Sequence, residues 1–229
     1  TICFAVLAYP VSGTPFVDLH STYFSIISIY LLILAIKTEN LVYWVFLPVF
    51  LGFAFLSKQV PATYVGFSII LLIVYDFIFN NRIKNLKIFS VLLTSTSIFF
   101  LLFFSLLYFN EISFQNFLDQ YINYPREIGK DRFLTLNYDF KNIILNFKFI
   151  LIIFLLLVVL NIIKIFNNKK FYKKINFKVF LILLLLFLSL IQHQILTRNA
   201  IFIFFLIPLF CAFAHIELYN LNYTIYKSI

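Results

Sequence analysis

The first candidate site combines a carboxylate and an imidazole, Asp18 and His20, at the start of a long apolar segment. Two prolines and a glycine interrupt the chain between residues 9 and 15, which predicts that both side chains lie in the first turn of a helix. An acid in that turn is typical of a helix cap. The alternative interpretation is a site that binds a sugar hydroxyl or an amine, because ionisable groups in apolar spans are costly and often functional.

The second candidate site is the pair Lys58 and Gln59, which separates two apolar segments and precedes Pro61. A lysine in this position can simply extend its ammonium group to the membrane interface. An ammonium group beside apolar side chains and a helix break also suits a phosphate whose lipid tail stays in the bilayer. The sequence alone leaves both interpretations open.

Two further sets of basic and polar residues lie later in the chain. Arg126, Lys130 and Arg132 follow a proline in a polar stretch, where they form either a solvated loop with ion pairs or a clamp for a phosphate or pyrophosphate. His193 and Arg198 bracket the predicted turn between the last two apolar segments. They either mark the membrane interface or, if Arg198 points inward, add a positive charge for an anionic lipid carrier.

Long apolar segments separate these residues and must position them. Apolar residues make up 63% of the chain and charged residues 12%, whereas a soluble domain carries about 25% charged residues. We therefore predict an all-α fold, a single polytopic transmembrane helix bundle with about seven spans plus a partial first one, Thr1–Pro10. The predicted spans are Phe16–Ile36, Leu41–Leu56, Ala62–Phe79, Ile88–Phe109, Ile143–Phe166, Val179–Leu196 and Ala200–Leu218. Because the chain opens inside a half-span and lacks methionine, we expect it to be part of a longer protein.

The distribution of basic residues predicts the orientation of the spans. Asn80–Lys87 and the segment that follows Lys164 are rich in lysine, and loops of this kind are retained in the cytoplasm. With these loops inside, all the candidate residues lie on the outer face, together with the stretch Asn110–Asn142. That stretch is predicted to be a periplasmic loop with an amphipathic helix, because apolar residues recur at helical spacing from Phe114 to Ile122. The net charge of +9 is thus explained by topology, and nucleic-acid binding is not expected.

The sequence offers no evidence for a metal or another cofactor. Cys3 and Cys211 both lie in apolar segments without the spacing of metal ligands, and the acids form no evident cluster of oxygen ligands. With 4 glycines in 229 residues, a glycine-rich phosphate-binding loop cannot be built.

Three short motifs carry a resemblance to a known superfamily. They are a Gly-x-x-x-x-Asp entry ending at Asp18, the sequence Gly-Phe-Ala-Phe-Leu-Ser-Lys ending at Lys58, and a late Thr-Arg-Asn at residues 197–199 followed by Ile-Pro-Leu. In this order they resemble the C-type, integral-membrane glycosyltransferases, in particular the bacterial protein O-mannosyltransferase-like and lipid A aminoarabinose transferase-like (family 39-like) enzymes. The resemblance extends from about Tyr9 to Phe213, although Asn199 replaces a tyrosine that is frequent in the family.

The resemblance implies an enzyme of the bacterial plasma membrane that moves a hexosyl or pentosyl group from a polyprenyl-phosphate sugar to a lipid, glycan or protein acceptor. It implies periplasmic transfer with inversion, Lys58 and Arg198 at the phosphate, and Asp18 and His20 lining the sugar or acceptor pocket. It also places the family's principal catalytic acid upstream of Thr1.

Two other classes of protein remain as alternatives. A transporter or flippase of an anionic or lipid-linked solute needs polar groups or broken helices near mid-membrane. The predicted spans have almost purely apolar centres, with Pro48 and Pro208 as the main interruptions, which favours one-sided chemistry. The other alternative is a non-catalytic membrane subunit.

Overall fold

The computed structural model describes residues 17–79, 82–136, 138–167, 175–197 and 203–227. Every regular element in these ranges is a helix, which confirms the predicted polytopic helix bundle. The predicted half-span Thr1–Pro10 lies outside the described residues. The chain divides into two compact units, a first unit of residues 16–136 and a second unit of residues 137–229 with residues 1–15.

The first unit contains four long helices followed by a short helical segment. The long helices are α1 (Val17–Thr38), α2 (Leu41–Ser57), α3 (Gln59–Phe79) and α4 (Arg82–Phe109). The short elements are α5 (Phe114–Leu118), the π-helix π1 (Asp119–Asn123) and α6 (Tyr124–Leu134). The first helix has 22 residues, enough for about 33 Å at 1.5 Å per residue, so it can cross the bilayer core.

Small side chains line one buried side of α1. Ser21, Ser25, Ser28 and Ala35 are buried along one side of α1. Membrane helices pack through such residues because lipid supplies no hydrophobic driving force between helices, so close van der Waals contact decides the packing. The large buried side chain of Trp44 lies on α2.

The contact between α2 and α4 depends on a glycine. A Cβ atom on Gly52 would lie 2.3 Å from Cζ of Phe99, so the ring occupies the space that any other side chain would need. Elsewhere in the same contact, the Ser95 hydroxyl donates to the Val45 carbonyl at 2.5 Å. This bond satisfies a hydroxyl group that is buried among apolar side chains.

The helical path breaks between α2 and α3. Lys58 has φ −161° and ψ 133°, and Val60 has φ −116° and ψ 126°. Val60 precedes Pro61, whose ring disfavours helical backbone at the preceding residue. The sequence thus places Lys58 and Gln59 at a break between two helices.

The segment Phe114–Leu134 follows a nearly continuous helical path through α5, π1 and α6. The Phe114 ring lies 5.5 Å from that of Phe104, and the Phe117 ring lies 5.0 Å from that of Phe103, so apolar residues of this segment pack against α4. Residues 124–132, whose proline and glycine favoured a loop, form part of α6 instead. Pro125 occupies the first turn of α6, where a proline is tolerated.

The second unit contains π2 (Lys141–Leu145), α7 (Lys148–Asn167), α8 (Ile175–Thr197) and α9 (Leu206–Lys227). Three phenylalanine rings, one from each long helix, meet in its core. The Phe154 ring stacks on Phe187 at 4.1 Å and lies 5.3 Å from Phe210.

Seven described helices are apolar over most of their length. By length and composition, α1, α3, α4, α7 and α8 can cross a membrane, whereas α2 and Leu206–Tyr219 of α9 are shorter apolar helices. These helices correspond to the seven predicted spans, and α2 is the one expected to be the shortest. The protein is therefore a multi-pass membrane protein.

Candidate functional site

The candidate site is an ion pair between Asp18 and Lys58 in the first unit. The Lys58 Nζ atom contacts the Asp18 Oδ1 atom, although 40 residues separate the two in sequence. Both side chains are partly buried, with 26% of Lys58 and 21% of Asp18 exposed. The structure thus unites two candidate sites that the sequence presented separately.

Neighbouring hydrogen bonds hold α1 against the end of α2 at this point. The buried Ser21 hydroxyl, one turn after Asp18, donates to the Lys58 carbonyl at 3.1 Å. Because the break leaves the last carbonyl groups of α2 without helical donors, this bond satisfies a group that lipid could not. The Lys58 backbone is therefore fixed to the helix that carries Asp18.

Gln59 contacts the segment Phe114–Leu134 and not the ion pair. Its Nε2 atom donates to the backbone carbonyl of Tyr121 in π1. In return, the Tyr121 hydroxyl donates to the carbonyl of Phe55, near the end of α2. These two hydrogen bonds, which we call the reciprocal contact, connect π1 to both sides of Lys58.

Aromatic packing partly buries the Tyr121 side chain. Its ring stacks on Phe117 at 5.1 Å and meets Phe55 edge to face at 5.9 Å. Burial disfavours the phenolate and raises the pKa of Tyr121 from 10.0 to about 12. Since the folded pKa is raised, the stabilisation from the neutral hydroxyl is complete below pH 10 and is lost only as the pH rises through about 12. The hydroxyl therefore remains a donor at every physiological pH.

The remaining predicted residues of the first unit are exposed. His20 lies in the first turn of α1. Arg126, Lys130 and Arg132 lie on α6, and none of them forms an ion pair within the described part of the chain. The incidental ion pairs considered for a solvated loop are thus not seen among the described residues. The three basic side chains on α6 remain available to an anion.

Two predicted residues belong to the second unit. His193 lies within α8, one turn before its end, and is 1% exposed. Arg198 lies outside the described residues. Near His193, the Gln192 Nε2 atom and the Tyr138 hydroxyl lie 2.9 Å apart, which ties the start of the second unit to the end of α8.

The ion pair combines a cationic donor group with a carboxylate that orients it. A lysine ammonium carries three donors, and Asp18 accepts from one of them, which leaves two for a ligand. The carboxylate fixes the position of the ammonium group and can also accept a hydrogen bond from a hydroxyl group. Among the described residues, no three His, Cys, Asp or Glu side chains are placed to hold a metal ion.

The comparisons with known proteins give one finding for the region that contains this pair. Residues 1–109 match the family model of dolichyl-phosphate-mannose-protein mannosyltransferases. Over these residues the match confirms the resemblance to the C-type, integral-membrane glycosyltransferases. No match was found among curated proteins or among solved structures.

The matched region covers 109 of the 229 residues and includes Asp18, Lys58 and Gln59. It does not include α6, His193 or Arg198. Most of the matched region, residues 16–109, therefore lies in the first unit, which also contains the ion pair.

Sequence reasoning missed Ser21 and Tyr121. Ser21 gave no signal beyond being a polar residue one turn from Asp18. Tyr121 appeared only as one apolar residue in an amphipathic row. Its hydroxyl was the available signal, because a tyrosine that is partly buried in such a row needs a hydrogen-bond partner.

Proposed function

We propose that the protein is a plasma-membrane glycosyltransferase that moves a sugar from a polyprenyl-phosphate carrier to a lipid, glycan or protein acceptor on the periplasmic face. The observation that carries this proposal is the Asp18–Lys58 ion pair at the break between α2 and α3. The family match over the same residues supports the reaction class.

The placement of Lys58 suits a phosphate on a lipid. The lysine stands at the end of an apolar helix, so a polyprenyl chain can remain in the bilayer while its phosphate reaches the ammonium group. The two donors that Asp18 leaves can contact phosphate oxygens. We therefore assign the donor phosphate to Lys58.

As the reaction proceeds, negative charge develops on the leaving lipid phosphate. An acceptor oxygen or nitrogen bonds to the anomeric carbon as the bond from that carbon to the phosphate oxygen breaks, and the lipid phosphate leaves with the electron pair. Lys58 stabilises this developing negative charge, which is the usual role of a fixed cation in group transfer. The family resemblance implies a separate carboxylate as the general base that takes the acceptor's proton.

Asp18 has two functions in this scheme. It holds the ammonium group in place by the ion pair, and as a carboxylate it can accept a hydrogen bond from a sugar or acceptor hydroxyl. His20 and Gln59 lie within two residues of this pair in sequence. The other proposed contacts to the donor or the acceptor are Arg126, Arg132, His193 and Arg198.

We expect Asp18→Asn to lower sugar transfer by about tenfold to 100-fold, because misplacing a catalytic cation by about 1 Å can cost that much. The measurement is transfer of radiolabelled sugar from polyprenyl-phosphate donors in membranes that contain the full-length protein. The control is Asp131→Asn on the exposed face of α6, which should transfer as wild type does. Wild-type rates in Asp18→Asn, or no transfer from any such donor by the wild type, would contradict the proposal and favour a transporter or a non-catalytic subunit.

A further inference from the structure

The reciprocal contact brackets the residue to which we assign the donor phosphate. Tyr121 donates to the carbonyl of Phe55, three residues before Lys58, and accepts from Gln59, the residue after it. Both contacts therefore act on the short piece of backbone that carries the lysine.

The backbone around Lys58 lacks most of the hydrogen bonds that a continuous helix would give it. The Lys58 N–H group makes the last bond of the α2 ladder, to the Ala54 carbonyl at 3.1 Å. The Phe55 carbonyl comes next, and in a continuous helix it would accept from the N–H group of residue 59. The Tyr121 hydroxyl takes the place of that donor.

Tyr121 is itself held firmly by aromatic packing. Its ring stacks on Phe117, whose ring lies 5.0 Å from Phe103 of α4. The hydroxyl is thus anchored to α4 through a chain of rings, and it bonds to the end of α2. The local π-helix at residues 119–123 accompanies this placement, and such distortions are frequent at functional sites.

We propose that Tyr121 is a positioning residue for Lys58, holding the helix break so that the ammonium group meets the donor phosphate. This inference rests on the proposed function, because it assumes that Lys58 binds that phosphate. It gives the segment Phe114–Leu134 a part in donor binding that is exerted through Lys58, without contact between Tyr121 and the donor.

The test is binding of a fluorescent polyprenyl phosphate without sugar to the purified full-length protein in detergent. Tyr121→Phe removes only the hydroxyl and should weaken binding by about five- to tenfold, the effect of one hydrogen bond. Gln59→Leu removes the other half of the reciprocal contact and should weaken binding in the same way. Tyr124→Phe is the matched control, because the Tyr124 side chain is 64% exposed, and it should bind as wild type does.

A double-variant comparison separates positioning from a general structural effect. If Tyr121 acts through Lys58, Tyr121→Phe should have no effect on binding once Lys58→Met has removed the ammonium group. Additive effects in the double variant, or wild-type affinity in Tyr121→Phe, would overturn this inference alone. Wild-type affinity in Lys58→Met would instead overturn the assignment of the phosphate to Lys58, and this inference with it.

Discussion

Replacing Lys58 with methionine is expected to lower sugar transfer by about 100-fold to 1000-fold, the range seen when one fixed donor to a developing negative charge is removed. Methionine keeps the length and apolar character of the side chain, so the helix packing should survive. The measurement is the initial rate of transfer from a polyprenyl-phosphate sugar, at equal amounts of protein in the membrane. The rate should fall even at saturating donor, because the ammonium group acts on the leaving phosphate in the transition state as well as on the bound donor.

The matched control for this variant is Lys141→Met. Lys141 is exposed and forms no ion pair with a described residue. Its replacement removes the same charge without touching the candidate site, so transfer should continue at the wild-type rate. If Lys141→Met lowers the rate of sugar transfer as much as Lys58→Met does, the loss is a general effect of charge and does not identify a site at Lys58.

The second large effect is expected on stability, from a buried ion pair in the second unit. Lys164 of α7 contacts Glu217 of α9, and the two side chains are 10% and 11% exposed. Glu217→Ala should lower the free energy of unfolding by about 3–5 kcal/mol, because it leaves the lysine charge buried without its partner. The measurement is chemical unfolding of the purified protein in detergent micelles.

The double variant Lys164→Met with Glu217→Leu tests the reason for that loss. When both charges are replaced by apolar side chains of similar size, the penalty for an unpaired charge disappears, so stability should return close to that of the wild type. If the double variant is as unstable as Glu217→Ala, the loss arises from side-chain packing and the explanation by charge is wrong.

The membrane spans followed from the sequence because their signal is local. Stretches such as 16–36 and 88–109 are long and mostly apolar, and in lipid the backbone must satisfy its own hydrogen bonds. The observed helix α1 ends two residues later than predicted, and α4 begins six residues earlier. Such ends depend on capping and on neighbouring contacts, which hydropathy does not describe.

The ion pairs did not follow from the sequence, because each depends on how two helices are aligned. Asp18 and Lys58 were each recognised as candidates, yet their contact requires the particular register of α1 against α2. Local sequence patterns likewise did not pair Lys164 with Glu217. A glutamate within an apolar helix was the available signal, since such residues usually have a buried partner.

Local sequence patterns also could not predict the placement of π1 and α6. Residues 124–132 contain a proline and a glycine, and both favour a loop when taken alone. The helix forms because the proline stands in its first turn, where it is tolerated. The contact of Tyr121 with Phe55 joins residues 66 positions apart, which periodicity along one segment cannot reveal.

The most direct test of the central claim is to locate the bound donor. A polyprenyl phosphate with a photoreactive group beside its phosphate would be crosslinked to the full-length protein, and the labelled peptides identified by mass spectrometry. We expect labelling within residues 55–61 and at the start of α1. Unlabelled polyprenyl phosphate and the Lys58→Met substitution should each suppress this labelling. Labelling confined to other segments, or labelling at this break that Lys58→Met leaves unchanged, would contradict the claim that Lys58 receives the donor phosphate.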